Sequence, residues 1–251
     1  MCTLALAFQV LPELPILLGA NRDEALSRPA SGPAFREAEI PFIAPRDELA
    51  GGTWLGLNAR GLFVGITNRY GRPPDPSRRS RGKLVLDALG FGSAEALHRF
   101  MGGLDPRQYN PFHLLYVDPA FAGATWLDGD ALRQESLGPG LHVVTERSFA
   151  AVPTVEREAR LRQAWTAADL RAPSELEKLG AAFTLHDPVT RIGGTCVHAE
   201  SLGYGTRSSL LLALPGDPRA GRLLWAEGHP CENPYVDRSE LLGKLFLNRE
   251  N

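Results

Sequence analysis

The chain is poor in cysteine, in net charge and in long apolar runs. Three cysteines, Cys2, Cys196 and Cys231, are scattered over 251 residues. That count excludes a disulfide framework and sets a reducing, cytoplasmic location as the expectation. No apolar stretch approaches the roughly 20 residues that a membrane-spanning helix requires. The first residues carry no basic segment and no cleavage pattern, so export is not expected. A net charge of −2 leaves no electrostatic footprint for nucleic acid. GxGxxG, a P-loop, GxSxG and HExxH are all missing, which removes the usual markers of dinucleotide, phosphate, serine-elbow and zinc-protease chemistry. No repeat and no linker interrupts the sequence, so a single domain over residues 1–251 is expected. An Arg-dominated basic set with 26 Gly and 20 Pro points to many tight turns and to a high-GC bacterial source.

What the chain does have is a dense opening. Residues 2–10 form an apolar run that reads as a strand, Leu11-Pro12-Glu13 as a turn, and residues 15–20 as a second strand ending at Asn21-Arg22-Asp23-Glu24. Gly19 marks a candidate close backbone approach. Four prolines make residues 28–48 read as a loop. Residues 51–58 and 62–67 read as a hairpin around Asn58-Ala59-Arg60-Gly61. Helices are expected over residues 82–89, 93–101, 155–168, 174–183 and 239–246, where apolar residues recur at three-to-four spacing or a Ser offers an N-cap. Further strands are expected over residues 111–118, 123–127, 131–137, 141–145, 194–200, 206–214 and 222–227. Strand runs separated by helical pairs, with hairpins dominating, predict an α+β fold of two stacked antiparallel sheets with helices outside.

Cys2 is the first candidate for chemistry. Removal of Met1 would give this residue both a thiol and a free α-amine, and an amine titrating near ~7.7–8.0 is a workable base at neutral pH. The plainer alternative is a small buried hydrophobe at a strand start. In the polar tetrapeptide, a carboxylate could orient the Cys2 amine and Arg22 could lower a thiol pKa or grip an anion; the alternative is a turn or helix N-terminus, where Asn, Asp and Glu are favoured. Gly51-Gly52-Thr53-Trp54-Leu55-Gly56 allows a close backbone approach beside a large aromatic surface, or forms a bulged strand. Asn68 ends a strand as a candidate oxyanion donor. Arg69, Arg72, Arg78, Arg79, Arg81 and Lys83 form a basic loop, suited to an anionic ligand or simply solvated. Cys196-Val197-His198 and His229-Pro230-Cys231 hold enough S and N donors for a tetrahedral zinc site. Their spacing fits no standard finger, so no metal is assigned.

Taken together, Met1-Cys2-Thr3, Asn21-Arg22-Asp23-Glu24 with Ser27-Arg28-Pro29, the Gly51–Gly56 segment, Thr67-Asn68-Arg69, Arg81-Gly82-Lys83-Leu84-Val85 and Tyr204-Gly205-Thr206-Arg207 resemble the NRDE family, also called the transport and Golgi organization protein 2 family. The resemblance runs in order from the first residue to about residue 210. It implies a four-layer αββα sandwich of the N-terminal nucleophile hydrolase type, related to cysteine amidases such as penicillin V acylase and bile salt hydrolase. It implies Cys2, Asp23 and Asn68 as catalytic residues, and Asn21, Arg22, Trp54, Arg69 and Arg207 as substrate-binding residues. Where those amidases carry an Arg before Asn-x-Asp this chain has Ala20, and where they carry a second Asn in mid-chain it has Glu146. The expected ligand is a small anionic or amphipathic molecule, with no cofactor. The family's links to haem trafficking and lipid metabolism give a second expectation, a non-catalytic haem or acyl-lipid carrier with His113, His198 or His229 as axial ligand.

Overall fold

The opening apolar runs fold as a long hairpin, β1 (Cys2–Leu11) against β2 (Leu14–Ala25). This computed structural model describes residues 2–69, 71, 73–149, 156–167 and 172–247. Two compact units make up the chain, Met1–Arg28 with Pro139–Gly243, and Pro29–Gly138 with Lys244–Asn251.

In the first unit the hairpin is central to an antiparallel sheet of order β10-β1-β2-β12-β13-β14, formed with β10 (Gly140–Val144), β12 (Tyr204–Leu214), β13 (Arg222–Glu227) and β14 (Val236–Asp237). A two-residue strand, β11 (His198–Ala199), pairs with the start of β12. Ala5, Ala7, Leu17, Leu211 and Ala213 share a core with Leu161 and Trp165 of the helix Glu156–Ala167 and with Leu176, Leu179 and Phe183 beyond it. Gly19 is required here because a Cβ would run into the Phe183 ring. The expected helix over residues 174–183 is a 3-10 helix, Pro173–Leu179, followed by a single α-turn, Gly180–Phe183. The expected strand over residues 194–200 exists only as β11. Gly193 and Gly194 press against residues 185–187, and the Cys196 amide donates to the Leu185 carbonyl at 3.1 Å, so this backbone is spent on a loop and not on a ladder.

The second unit is a meander of seven strands in sequence order: β3 (Ala30–Arg36), β4 (Phe42–Asp47), β5 (Leu55–Asn58), β6 (Phe63–Asn68), β7 (Phe112–Val117), β8 (Ala122–Asp128) and β9 (Ala131–Leu137). The proline-rich stretch expected as a loop is therefore two strands. Its prolines are tolerated because β3 is an edge, because the β3–β4 register breaks between Ser31 and Ala34 around Pro33, and because Pro45 lies beyond the part of β4 that pairs with β5. The hairpin at residues 58–61 closes as expected, with Gly61 at φ 84°. Asn58 braces it, accepting from the Arg60 and Leu62 amides while donating to the carbonyls of Leu89 and Phe91. Helices α1 (Arg81–Ala88) and α2 (Ala94–Met101) complete the unit, with Ser93 capping α2 by accepting from the Ala96 amide. None of the helices among the described residues is long and apolar enough to cross a membrane.

Two glycine motifs meet in this unit. Thr53 donates its amide to the Gly82 carbonyl at 3.1 Å, and a Cβ on Gly52 would lie 2.5 Å from the Gly82 carbonyl carbon. The glycines thus permit one backbone to cross another, and both crossing partners are main chain, which cannot swing aside. Gly52→Ala is expected to cost about 2–3 kcal/mol and to lower Tm by roughly 5–10 °C. Thermal unfolding beside Gly51→Ala, whose site has open space but φ 68°, separates crowding from backbone strain.

Candidate active site

The polar tetrapeptide is neither a turn nor a cap: it continues β2. Cys2 stands directly across from Arg22, and Arg22 from Ser208 of β12. Thr3, Asn21 and Ser209 form the adjacent row. Because side chains alternate along a strand, Cys2 and Arg22 share one face, and Thr3, Asn21 and Asp23 share the other. Cys2 is half-buried, and Arg22 is only 4% exposed with its guanidinium 4.0 Å from Glu24. Burial and the Asp23 charge push the Cys2 thiol up, and the Asp23 backbone N–H and the Arg22 charge offset only part of that rise.

Asp23 is the centre of the opposite face. Its Oδ1 accepts from the Thr206 hydroxyl at 2.7 Å, and its Oδ2 lies 3.9 Å from the Arg157 guanidinium. Arg157 also reaches Glu146 at 3.3 Å, the Thr3 hydroxyl at 3.5 Å and the Ile192 carbonyl. Burial holds the Asp23 carboxyl above its ordinary range, opposed by Arg157 and the Thr206 hydrogen bond. Tyr204 donates its hydroxyl to the Asp23 carbonyl at 2.8 Å. Asn21 donates to the carbonyls of Phe183 and Thr195 at 2.9 and 2.8 Å, tying β2 to the 184–197 segment. Glu146 is thus a buried partner of Arg157. Sequence reasoning missed Arg157. Its signal was there: it precedes Leu161 by four positions and Trp165 by eight, placing a cation on the helix's inward stripe.

Arg207 stands at the register break of β12 and donates to the Leu26 carbonyl at 2.5 Å. Trp54, Asn68 and Arg69 belong to the second unit. Trp54 is buried, Asn68 is exposed at the end of β6, and Arg69 bonds His113 Nε2 at 2.7 Å and lies 3.4 Å from Asp128. Both ring nitrogens of His113 are engaged, since Nδ1 meets the Thr67 hydroxyl at 3.0 Å, which leaves this ring no lone pair for an axial bond. Of the expected basic loop, Arg72 lies outside the described residues and Arg81 and Lys83 belong to α1; Arg78 and Arg81 donate to the carbonyls of Tyr109 and Pro111, and Arg79 pairs with Asp87.

The cysteine and histidine pairs noted from sequence converge. Cys196 Sγ lies 3.5 Å from Cys231 Sγ and 3.7 Å from His198 Nε2, which is itself 3.1 Å from Cys231 Sγ. The His198 and His229 rings stack with centroids 3.9 Å apart, and His186 lies 5.0 Å from His198. Gly205 makes room for His229, whose Nε2 would be 2.9 Å from a Cβ there.

A family model described as Transport and Golgi organisation 2 matches residues 1–219. The mouse Transport and Golgi organization 2 homolog is 32% identical over 106 residues, 41% of this chain and 38% of that protein. The human homolog is 31% identical over the same shares. Among solved structures, the Caenorhabditis elegans ortholog of N-acylethanolamine-hydrolyzing acid amidase is similar at TM-score 0.62, covering 88% of this chain and 95% of that one at 12% identity. Penicillin V acylase from Agrobacterium tumefaciens follows at 0.60, covering 100% and 89% at 12% identity. A mutant of conjugated bile acid hydrolase from Clostridium perfringens gives 0.58, covering 96% and 93% at 13% identity. These likenesses show the fold, that of the N-terminal nucleophile hydrolases.

Proposed function

The chain belongs to the Transport and Golgi organisation 2 family, and from that premise we propose that it hydrolyses a non-peptide amide or related acyl bond with Cys2 as an N-terminal nucleophile. The observation that carries this reading is local: Cys2, at the start of β1, lies directly opposite the buried Arg22, next in sequence to the buried Asp23 of β2. The solved structures that share the fold are named as an acid amidase, an acylase and a conjugated bile acid hydrolase, which supports acyl-bond hydrolysis as the reaction class.

In this reading, hydrolytic removal of Met1 frees the Cys2 α-amine. That amine takes the thiol proton as Sγ attacks the acyl carbonyl carbon. The C–N bond then breaks, the proton passes to the departing amine, and an acyl thioester remains on Cys2. A water, deprotonated by the same amine, releases the carboxylic acid and restores the thiol. Asp23 acts as a positioning residue for the amine, itself held by Thr206 and Arg157. Arg22 favours a substrate with an anionic group near the scissile bond.

Intact-mass spectrometry tests both parts. The mature protein is expected to be lighter by one methionine residue. Brief exposure to an activated acyl ester is expected to add one acyl group, mapped to Cys2. A mature chain that keeps Met1, or an adduct that maps to Cys196 or Cys231, overturns the reading.

A further inference from the structure

The loop beside β11 and the turn after β13 bring two thiols and three imidazoles together, and the hydrolase reading uses none of them. A tetrahedral ion with bonds of ~2.3 Å to sulfur and ~2.05 Å to nitrogen has edges of about 3.8 Å between sulfurs and about 3.6 Å between sulfur and nitrogen. The Cys196–Cys231 edge is 3.5 Å, and the two sulfur–His198 Nε2 edges are 3.7 and 3.1 Å. The triangle therefore already has the size of one face of a zinc tetrahedron. The donor atoms of His186, His198 and Cys231 all lie within 4.8 Å of one another, wider than a tetrahedral edge but near enough to make His186 the candidate fourth ligand.

The ring of His198 is oriented as a ligand. Its Nδ1 sits 2.9 Å from the Glu200 carboxylate. A proton on Nδ1, donated to Glu200, leaves the Nε2 lone pair aimed at the two sulfurs, the arrangement by which carboxylates fix metal-bound histidines. His229 stacks on the other side and holds that orientation. A cavity of about 230 Å³, lined by His186, Asp187, Cys196, His198 and Glu200 among others, opens the cluster to solvent and gives an ion its entry path.

We propose that Cys196, Cys231, His198 and His186 bind one divalent metal ion of the zinc class. On binding, the two thiols release two protons to solvent, and two thiolates with two neutral imidazoles cancel the charge of the ion. The soft sulfur pair selects zinc over magnesium or calcium. Binding also fastens the backbone that receives Asn21 through the Thr195 carbonyl and Thr206 through the Val197 amide, so the ion stiffens the support of Asp23 without touching it.

The test uses the full chain, reduced and stripped by a chelator, titrated with Co²⁺ and then Zn²⁺. Thiolate-to-cobalt charge-transfer and visible d–d bands are expected to saturate at one equivalent and to vanish as Zn²⁺ displaces the cobalt. A hundredfold excess of Zn²⁺ over Kd is expected to raise Tm by roughly 5–10 °C. Cys2→Ala is expected to retain the bands, and Cys196→Ser and His198→Gln to lose them; circular dichroism checks that these variants fold. Absence of the bands in the reduced wild-type chain overturns the proposal. So does their dependence on Cys2, or recovery of Cys196 and Cys231 as a disulfide that, once reduced, still binds no cobalt.

Discussion

Arg157→Leu is expected to lower Tm by about 10 °C. The guanidinium is 2% exposed and lies between the carboxylates of Asp23 and Glu146, at 3.9 and 3.3 Å. Removing one member of a buried ionic cluster costs about 3–5 kcal/mol, because the remaining charges stay buried without compensation. At roughly 2–4 °C per kcal/mol for a chain of this size, that gives the stated shift. The pH dependence carries a definite sign. Burial already raises the folded-state pKa of Asp23 above 3.8, and Arg157 is one of the groups opposing that rise. A carboxyl whose folded pKa is raised contributes its full stability below the unfolded pKa and loses it as pH climbs through the folded value. Loss of Arg157 raises that folded pKa further, so the deficit of the variant relative to wild type is expected to grow as pH rises above the raised wild-type value toward neutrality. Adding Glu146→Gln is expected to recover part of the loss by removing one uncompensated charge. A variant that melts within about 2 °C of wild type, or whose deficit grows on acidification, sinks this account.

The chain made its strands legible and hid its contacts. β1 and β13 were readable because apolar runs between turn residues admit little else, and β9 because Asp128-Gly129 marks a hairpin. The polar tetrapeptide admitted two readings, because Asn, Asp and Glu favour caps and turns as strongly as they mark sites. β12 decides between them by pairing with Asp23 through Thr206 and with Arg22 through Ser208, which keeps the polar stretch in the ladder. The strands around Pro33 and Pro45 were masked, since edge and bulge positions that tolerate proline are defined only by neighbours. Arg157 was passed over for a related reason: despite its place on the inward stripe, an arginine on an isolated helix reads as solvated, and only a buried Asp23 and Glu146 give it a role. The Cys-x-His and His-x-Cys pairs were visible in the sequence, but their convergence was not, because it joins cysteines 35 positions apart through loops whose course is set by Gly194, Gly205 and the Leu185 carbonyl.

Cys2→Ala is expected to abolish acyl turnover, by on the order of 10⁴-fold or more, while Tm stays within about 3 °C. The two effects separate because the sulfur contributes little packing beyond a small apolar side chain, whereas the proposed reaction has no other thiol placed at the chain start. Asp23→Asn makes the sharper comparison. The amide keeps the volume and can still accept from Thr206, but it no longer carries a charge to orient the freed α-amine. Turnover is expected to fall on the order of 10²-fold, chiefly in kcat, and the acidic limb of the kcat/KM profile to move as the amine loses the nearby carboxylate that supports its charged form. Stability is expected to hold or rise at pH 7, since the raised Asp23 pKa means that keeping this carboxylate ionised costs the fold free energy. A purely structural role for Asp23 predicts the reverse: a lower Tm, with the pH profile of the remaining activity unmoved. Measuring kcat, KM and Tm across pH for the wild type and both variants, on protein shown by mass to lack Met1, distinguishes the two, and turnover that persists in Cys2→Ala would remove the thiol from the reaction altogether.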